Sequence, residues 1–314
     1  MLGGNLAAAS GTEEIAPGVL LLAFLISNVY LLGEPGGAYI VVDTGLSGHF
    51  EAILEAAQAR FGAESRPQAI VLTHAHVDHY GSALALAAYW NVPIYAHPLD
   101  LPYLTGKGTL PPSDPTVGGL FGFAARFLPS SGTDFGDFAA PIPADHSVPG
   151  LPDWRWIETP GHTPGHVSLY RASDRTIIAG DAVLTVDVDS AAAVLTKEKC
   201  LARPPSAATY DWLEVRKSAL RLAALRPRTI ASGHGVPMSG DDLAENLQDF
   251  ANDFLPPLHG RYVPEPAVMD ENGIVYVPPA PTDPLPTVAA GVGLAAAIAF
   301  GVFVVLKRQR DRDR

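Results

Sequence analysis

Three imidazoles and one carboxylate fall within Thr73-His74-Ala75-His76-Val77-Asp78-His79-Tyr80-Gly81, directly after the apolar run Ala69-Ile70-Val71-Leu72. A buried strand that ends in so dense a set of nitrogen and oxygen donors points to a metal site. Three further segments carry matching donors: Gly161-His162-Thr163-Pro164-Gly165-His166, Gly180-Asp181-Ala182 and Gly233-His234-Gly235. One histidine in any of them carries little weight. Four segments, each a turn beside an apolar run, indicate one convergent site.

The first cluster alone holds more donors than a single four-coordinate zinc that must also keep a water. Adding His162, Asp181 and His234 makes five histidines and two aspartates, enough for two divalent ions, zinc by ligand type, around a shared carboxylate. A closed structural site would not need seven ligands. The economical assignment places His74, His76 and His162 on one metal and Asp78, His79 and His234 on the other, with Asp181 between them. Asp78 and Asp181 are then the carboxylates expected to serve catalysis as well as metal binding. A hydroxide bridging two such cations would be nucleophilic near neutral pH.

The elements that must present these donors are readable around them. Val19 to Leu32 gives two early core strands, and Ala38 to Val42 a third that ends in Asp43-Thr44-Gly45. Ser47 is a candidate cap for a helix to about Arg60, with Phe50, Ile53, Leu54 and Ala57 spaced to form one apolar face. Ala69 to Leu72 and Val92 to Ala96 read as strands flanking a helix from Gly81 to Trp90, a βαβαβ rhythm. Later strands are expected at Trp154 to Ile157, His166 to Tyr170, Thr176 to Ala179 and Thr229 to Ser232. Thr209 or Asp211 opens a helix from Trp212 to Leu225, and Ser239 to Asp242 supplies cap residues for another to about Phe254. The glycines beside His234 suit a sharp turn at a strand end. Residues 98–150 lose periodicity but stay apolar, with Leu120, Phe121, Phe123, Phe127 and Leu128 as candidates for a substrate wall or a packed helix. His97 is placed as either a pocket residue or a hydrogen-bonded strand end, and His146 beside Asp145 as a solvated pair.

Composition narrows the classes. A chain of 314 residues with 47% hydrophobic and 17% charged residues can build a sizeable core. A net charge of -12 argues against nucleic acid as a partner and leaves a small-molecule substrate. Cys200, the single cysteine, excludes an internal disulfide and any multi-cysteine metal site.

Thr73 to Gly81 resembles the HxHxDH signature of the metallo-β-lactamase-fold hydrolase superfamily, and His162, Asp181 and His234 follow in that family's order. The resemblance spans about residues 17 to 256. It implies an α+β fold, a four-layer αβ/βα sandwich with the metals at the upper edge of the two sheets. Within the family the chain is most similar to glyoxalase II-like thioesterases and lactonases, with Asp181 at what resembles their bridging position. The resemblance makes His162 the ligand and His166 its supporting neighbour, and makes Asp43 a structural aspartate near the metals. The zinc-ligand cysteine of the commonest β-lactamase subclass is absent, as is the helical glutathione-binding domain of a standard glyoxalase II. The function this implies is dinuclear hydrolysis of an ester, lactone or thioester. Its rivals are phosphodiesterase or nuclease chemistry, then β-lactamase activity, then a non-enzymatic membrane-tethered metal protein.

The resulting organisation is a short amino-terminal segment (1–16), a catalytic domain (17–262), a Pro-rich linker (263–286), an apolar segment (287–306) and a basic tail (307–314). Thr287 to Leu306 is 20 residues without a charge, long enough for a bilayer core of about 30 Å. Lys307, Arg308, Arg310, Arg312 and Arg314 follow it. The expectation is a single-pass membrane protein held by a carboxy-terminal transmembrane helix. Because no positively charged amino-terminal export signal precedes the catalytic domain, that domain is expected to face the cytoplasm.

Overall fold

Strands whose residues are all apolar demand cover on both faces of their sheet. The computed structural model describes residue 9, residues 11–125 and residues 132–282, and supplies that cover as two sheets and two helical layers. The first sheet holds seven strands in sequence order: β1 (Gly11–Ala16), β2 (Val19–Ala23), β3 (Asn28–Gly33), β4 (Tyr39–Val42), β5 (Ile70–Val71), β6 (Ile94–Ala96) and β7 (Ala139–Pro141). The first four pair antiparallel, and β4 to β7 are parallel. Helix α1 (Phe50–Phe61) joins β4 to β5, while α2 (Val77–Tyr80) and α3 (Ala83–Trp90) join β5 to β6. Two short helices, α4 (Leu101–Leu104) and α5 (Gly119–Ala124), precede β7.

The second sheet contains β8 (Ser147–Val148), β9 (Leu151–Glu158), β10 (Val167–Arg171), β11 (Thr176–Gly180), β12 (Thr229–Ser232) and β13 (Met238–Ser239). Its six strands lie in the order β13-β12-β11-β10-β9-β8, with β11 and β12 parallel and the other pairs antiparallel. Between β11 and β12 come α6 (Ala191–Thr196) and α7 (Trp212–Ala224), the crossover a parallel pair requires, and α8 (Leu243–Asn252) follows β13.

Alternation along each strand sorts side chains into layers. In β3, Val29 and Leu31 face Ile53 and Ala57 of α1 and Leu86 of α3, whereas Tyr30 and Leu32 face Trp154, Trp156 and Leu169 of the other sheet. In β11, Ile178 joins that inter-sheet core, while Ile177 and Ala179 pack with Leu222 of α7 and Leu247 of α8. The order of layers is therefore helices, sheet, sheet, helices: the α+β four-layer αβ/βα sandwich expected from the sequence. Each fully buried Leu, Ile or Val contributes about 1.5–3 kcal/mol against an exposed one, which makes this layered packing the main support of the fold.

Some local expectations needed correction. Helix α1 begins at Phe50 instead of near Ser47, and the His49 N–H donates to Ser82 Oγ at 3.0 Å, so a neighbour 33 residues away replaces a local cap. Asp211 caps α7 by accepting from the Leu213 and Glu214 N–H groups, but no side chain caps α8 at Asp242. Residues 263–286 include a hairpin of β14 (Val268–Asp270) and β15 (Gly273–Tyr276), and Tyr262, Ala267 and Val277 pack against Tyr210 and Trp212.

The membrane expectation is also corrected. Among the described residues no helix is long and apolar enough to cross a membrane. The span 287–306 and the tail 307–314, which carried that reading, lie outside the described residues. An uncharged run of this kind measures length and does not by itself establish a membrane span. The transmembrane helix, the membrane as a partner and the single-pass localisation are therefore withdrawn.

Candidate metal centre

All seven expected donors lie at one edge of the sandwich. His74 follows β5, and His76, Asp78 and His79 lie at the start of α2. His162 sits in the loop between β9 and β10, Asp181 directly follows β11, and His234 follows β12. Donor atoms of His74, His76 and His162 come within 4.8 Å of one another, as do those of His74, His79 and Asp181, and those of Asp78, His79 and His234. Two adjoining metal-binding sites thus share one cluster. Asp181 spans them, with Oδ1 3.7 Å from His79 Nε2 and Oδ2 3.4 Å from His162 Nε2 and 3.1 Å from His234 Nε2.

Partners behind the rings determine which nitrogen faces inward. Thr73 donates its hydroxyl proton to Asp43 Oδ2 at 2.8 Å, so its oxygen accepts from His74 Nδ1 at 3.0 Å. Thr209 donates to the Pro205 carbonyl at 2.8 Å and accepts from His162 Nδ1 at 3.0 Å. His79 Nδ1 donates to Asp43 Oδ2 at 2.8 Å, and His234 Nδ1 to the Ile26 carbonyl at 2.6 Å. In all four rings Nδ1 is tied to the protein, which leaves Nε2, the atom turned to the cluster, as the one that can offer a lone pair to a cation. His76 presents Nδ1 instead, 2.9 Å from His162 Nε2, with its Nε2 3.4 Å from the Tyr210 hydroxyl.

This arrangement fits cations. His74 Nε2, His79 Nε2, His234 Nε2 and Asp181 Oδ1 are buried without a hydrogen-bond partner among the described residues. Four convergent, unsatisfied donors would be costly in a dry interior unless a cation completes them. Burial, reinforced by neighbouring imidazoles, holds His74 well below its usual range and His76 at about 4, so both offer lone pairs. Burial likewise depresses His162. Burial opposes charge on His79 too, but Asp181, Asp43 and Asp78 outweigh it and push that ring up to about 10, so a cation would have to displace the proton from Nε2 to use its lone pair. The same contest leaves Asp181 well below the usual carboxylate range: burial would raise it, and His234 and His79 overcome that.

His166 differs from His162 in having no ring nitrogen turned to the cluster. Ser168 donates to the Ala179 carbonyl, so it accepts from Thr159, and Thr159 in turn accepts from His166 Nδ1 at 2.8 Å. His166 Nε2 is left to accept the Asp181 N–H at 2.8 Å. Both ring nitrogens are used, and the ring holds the backbone of Asp181 in place. Asp43 has the orienting role already described, and Gly233 leaves room for the cluster. A Cβ there would fall on Asp181 Oδ1 and lie 2.6 Å from His79 Cε1.

Asp100 supports the cluster without a sequence motif of its own. Fully buried after β6, it accepts from the Ala75 N–H and the Thr163 hydroxyl on Oδ2 and from the Gly165 N–H on Oδ1, at 2.8–2.9 Å. Its carboxylate clamps the loop of His74 and His76 to the loop of His162. Burial pushes it up to about 6, against the pull of those three donors. Its signal was weak, since an aspartate after His-Pro-Leu has no local pattern that announces partners on two other loops.

A cavity of about 450 Å³ opens over the cluster. His76, Asp78, His162, Asp181 and His234 form its polar floor, and residues of the 98–150 insertion, including Tyr103, Leu110, Pro111, Phe121 and Ala124, form a wall. Phe127 and Leu128 lie outside the described residues. His97 is not among the described lining residues; its Nδ1 accepts from the Leu99 N–H, and its ring meets Trp156 edge-on. His146 also packs on Trp156, stacked at 4.2 Å.

Known proteins agree with this architecture. A family model described as the metallo-beta-lactamase superfamily matches residues 22–234. "Probable metallo-hydrolase YflN" of Bacillus subtilis (strain 168) is 39% identical over 242 residues, covering 76% of this chain and 92% of the relative. "Probable metallo-hydrolase YybB" of the same organism is 29% identical over 202 residues, 64% of this chain and 78% of the relative. The crystal structure of the metallo-beta-lactamase family protein TTHA1429 from Thermus thermophilus superposes with a TM-score of 0.51. It is 22% identical and covers 76% of this chain and 81% of that one, a likeness of fold alone.

Proposed function

The chain belongs to the metallo-β-lactamase superfamily and is a metal-dependent hydrolase with a dinuclear site, and from that premise we propose that it cleaves an uncharged carboxylic ester, lactone or thioester with two zinc ions. In this reading His74, His76 and His162 hold one ion, Asp78, His79 and His234 the other, and Asp181 lies between them. Imidazole and carboxylate donors suit zinc. When bound, the pair supplies Lewis acidity that activates water near neutral pH and polarises the scissile carbonyl.

The chain's own residues then position the reaction. Thr73, Thr209, Asp43 and the Ile26 carbonyl fix the rings from behind, so the donors need no rearrangement when the cavity is filled. Asp78, whose side chain is 15% exposed against 1% for Asp181, is the carboxylate turned to the substrate side. Tyr210 lies in the cavity with its hydroxyl 3.4 Å from His76 Nε2, placed to donate to an oxygen of the substrate. Burial holds its phenol well above the usual range, so it stays protonated.

The observation that carries the choice of substrate is the cavity lining, which contains no lysine or arginine among the described residues. A phosphodiester would bring an anion into a wall that offers it no cationic side chain, whereas an uncharged acyl compound matches the apolar surface. The test is a panel of 4-nitrophenyl esters, a γ-lactone and an acyl thioester assayed beside bis(4-nitrophenyl) phosphate. The carbonyl substrates are expected to lead in kcat/KM by about 100-fold. A phosphodiester that equals or exceeds them would overturn the reading.

A further inference from the structure

Among the described residues five tyrosines are buried: Tyr30, Tyr39, Tyr103, Tyr210 and Tyr262. Four have a partner for the hydroxyl. Tyr30 donates to the Ser232 carbonyl at 2.7 Å and Tyr262 to the Pro112 carbonyl at 2.6 Å. Tyr39 meets Ser65 at 3.3 Å, and Tyr210 meets His76 at 3.4 Å. Tyr103 differs: the residue is 1% exposed, and its hydroxyl is buried with no hydrogen-bond partner among the described residues.

Such a phenol normally finds a partner, because one left without it destabilises the folded chain. Slack in the backbone does not explain the exception. The Tyr103 N–H donates to the Asp100 carbonyl at 3.2 Å, and its carbonyl accepts from the Thr133 N–H at 2.9 Å. Tyr103 also lines the cavity over the metal centre. Tyr103 thus combines a firmly held backbone and an unsatisfied hydroxyl with a place in the wall of that cavity.

We propose that Tyr103 forms a second subsite, which takes an uncharged hydrogen-bond acceptor, such as a keto or amide oxygen, carried on the apolar part of the substrate. The proposal rests on the carbonyl-hydrolase reading for the rest of that substrate. The acceptor is not the carbonyl that is cleaved, since none of the cluster's donor atoms is within hydrogen-bond reach of this hydroxyl and Tyr210 already serves the cluster side. It is uncharged because the wall that holds Tyr103, with Leu110, Pro111, Phe121 and Ala124, offers no lysine or arginine among the described residues to pair with a carboxylate. Burial pushes the Tyr103 phenol well above its usual range, so it remains a donor across the working pH range.

The test compares the metal-loaded wild-type protein with Tyr103→Phe. The probes are 4-nitrophenyl hexanoate and the three esters bearing one keto group at C3, C4 or C5. At least one keto ester should exceed hexanoate about tenfold in wild-type kcat/KM, chiefly through a lower KM, and Tyr103→Phe should erase that ratio. The 4-nitroanilides of the same acids, titrated for binding, should show the same keto preference and the same loss. Bound metal should be equal in the two proteins, and the Tm of Tyr103→Phe equal or higher. Absence of a keto preference in the wild type, or a preference that survives the substitution, would refute the subsite. A lower Tm with no change in the ratios would refute it as well, by giving the hydroxyl a structural role. If no ester is cleaved yet the anilides keep a Tyr103-dependent preference, the carbonyl-hydrolase reading falls and the subsite stands.

Discussion

The floor and the wall of the cavity use polar side chains in opposite ways. On the floor and directly beneath it, His162 and His234, and His74 and His79, each have one nitrogen tied to the protein and the other turned to the cluster. On the wall, Tyr103 has its backbone tied and its hydroxyl left over. A group tied from behind is oriented before any ligand arrives, and this is the condition for tight and selective metal binding. A group with an untied polar tip discriminates between substrates by what it is offered. The difference assigns chemistry to the floor and selection to the wall.

The largest expected effect breaks the floor itself. Asp181→Ala removes the carboxylate that spans both sites, and loss of several kcal/mol of catalytic stabilisation corresponds to about 10³-fold in kcat. Steady-state assays with parallel metal analysis would check it; a loss under tenfold would deny Asp181 its central place. Asp100→Asn keeps the size of the clamp but sets an amide N–H against either the Ala75 and Thr163 donors or the Gly165 N–H. It should cost about 10–100-fold in activity or metal affinity, together with a lower Tm, as outer-sphere changes do. Wild-type behaviour in Asp100→Asn would show that the clamp needs no carboxylate.

His166→Ala releases the Asp181 backbone but removes no inward-facing donor, so about tenfold is expected, well short of Asp181→Ala. Equal metal loss in the two variants would erase the distinction between His162 and His166. Thr209→Val removes only the acceptor behind His162, which frees that ring to turn. A loss of up to about tenfold is expected, and Thr209→Ser should restore most of it because the hydroxyl returns. Failure of the serine variant to recover would assign the effect to packing.

The floor was far more legible than its supports. Three histidines and an aspartate within six positions at the end of an apolar run advertise a metal site, and the later donors each stand beside a strand-like segment. The supports carry no such local pattern. Thr209 lies 47 residues from His162, Ile26 lies 208 from His234, and Asp100 lies 65 from Gly165. Threonine, aspartate and a backbone carbonyl are ordinary in sequence and gain meaning when the sheet edges meet. The same limit explains Ser82 in place of a local cap on α1. The strands of the sandwich were visible as apolar runs, while their layering was carried by the family resemblance. The membrane-spanning expectation failed as an argument from composition, because absence of charge is necessary for such a segment and does not establish one.

The central claim is that seven donors at one sheet edge form two metal sites. Elemental analysis of the full chain, purified without chelator and dialysed against metal-free buffer, tests it most directly. Two divalent ions per chain are expected, zinc foremost, with hydrolysis lost on chelation and restored on readdition. No more than one tightly held ion per chain in protein that retains full activity would contradict it.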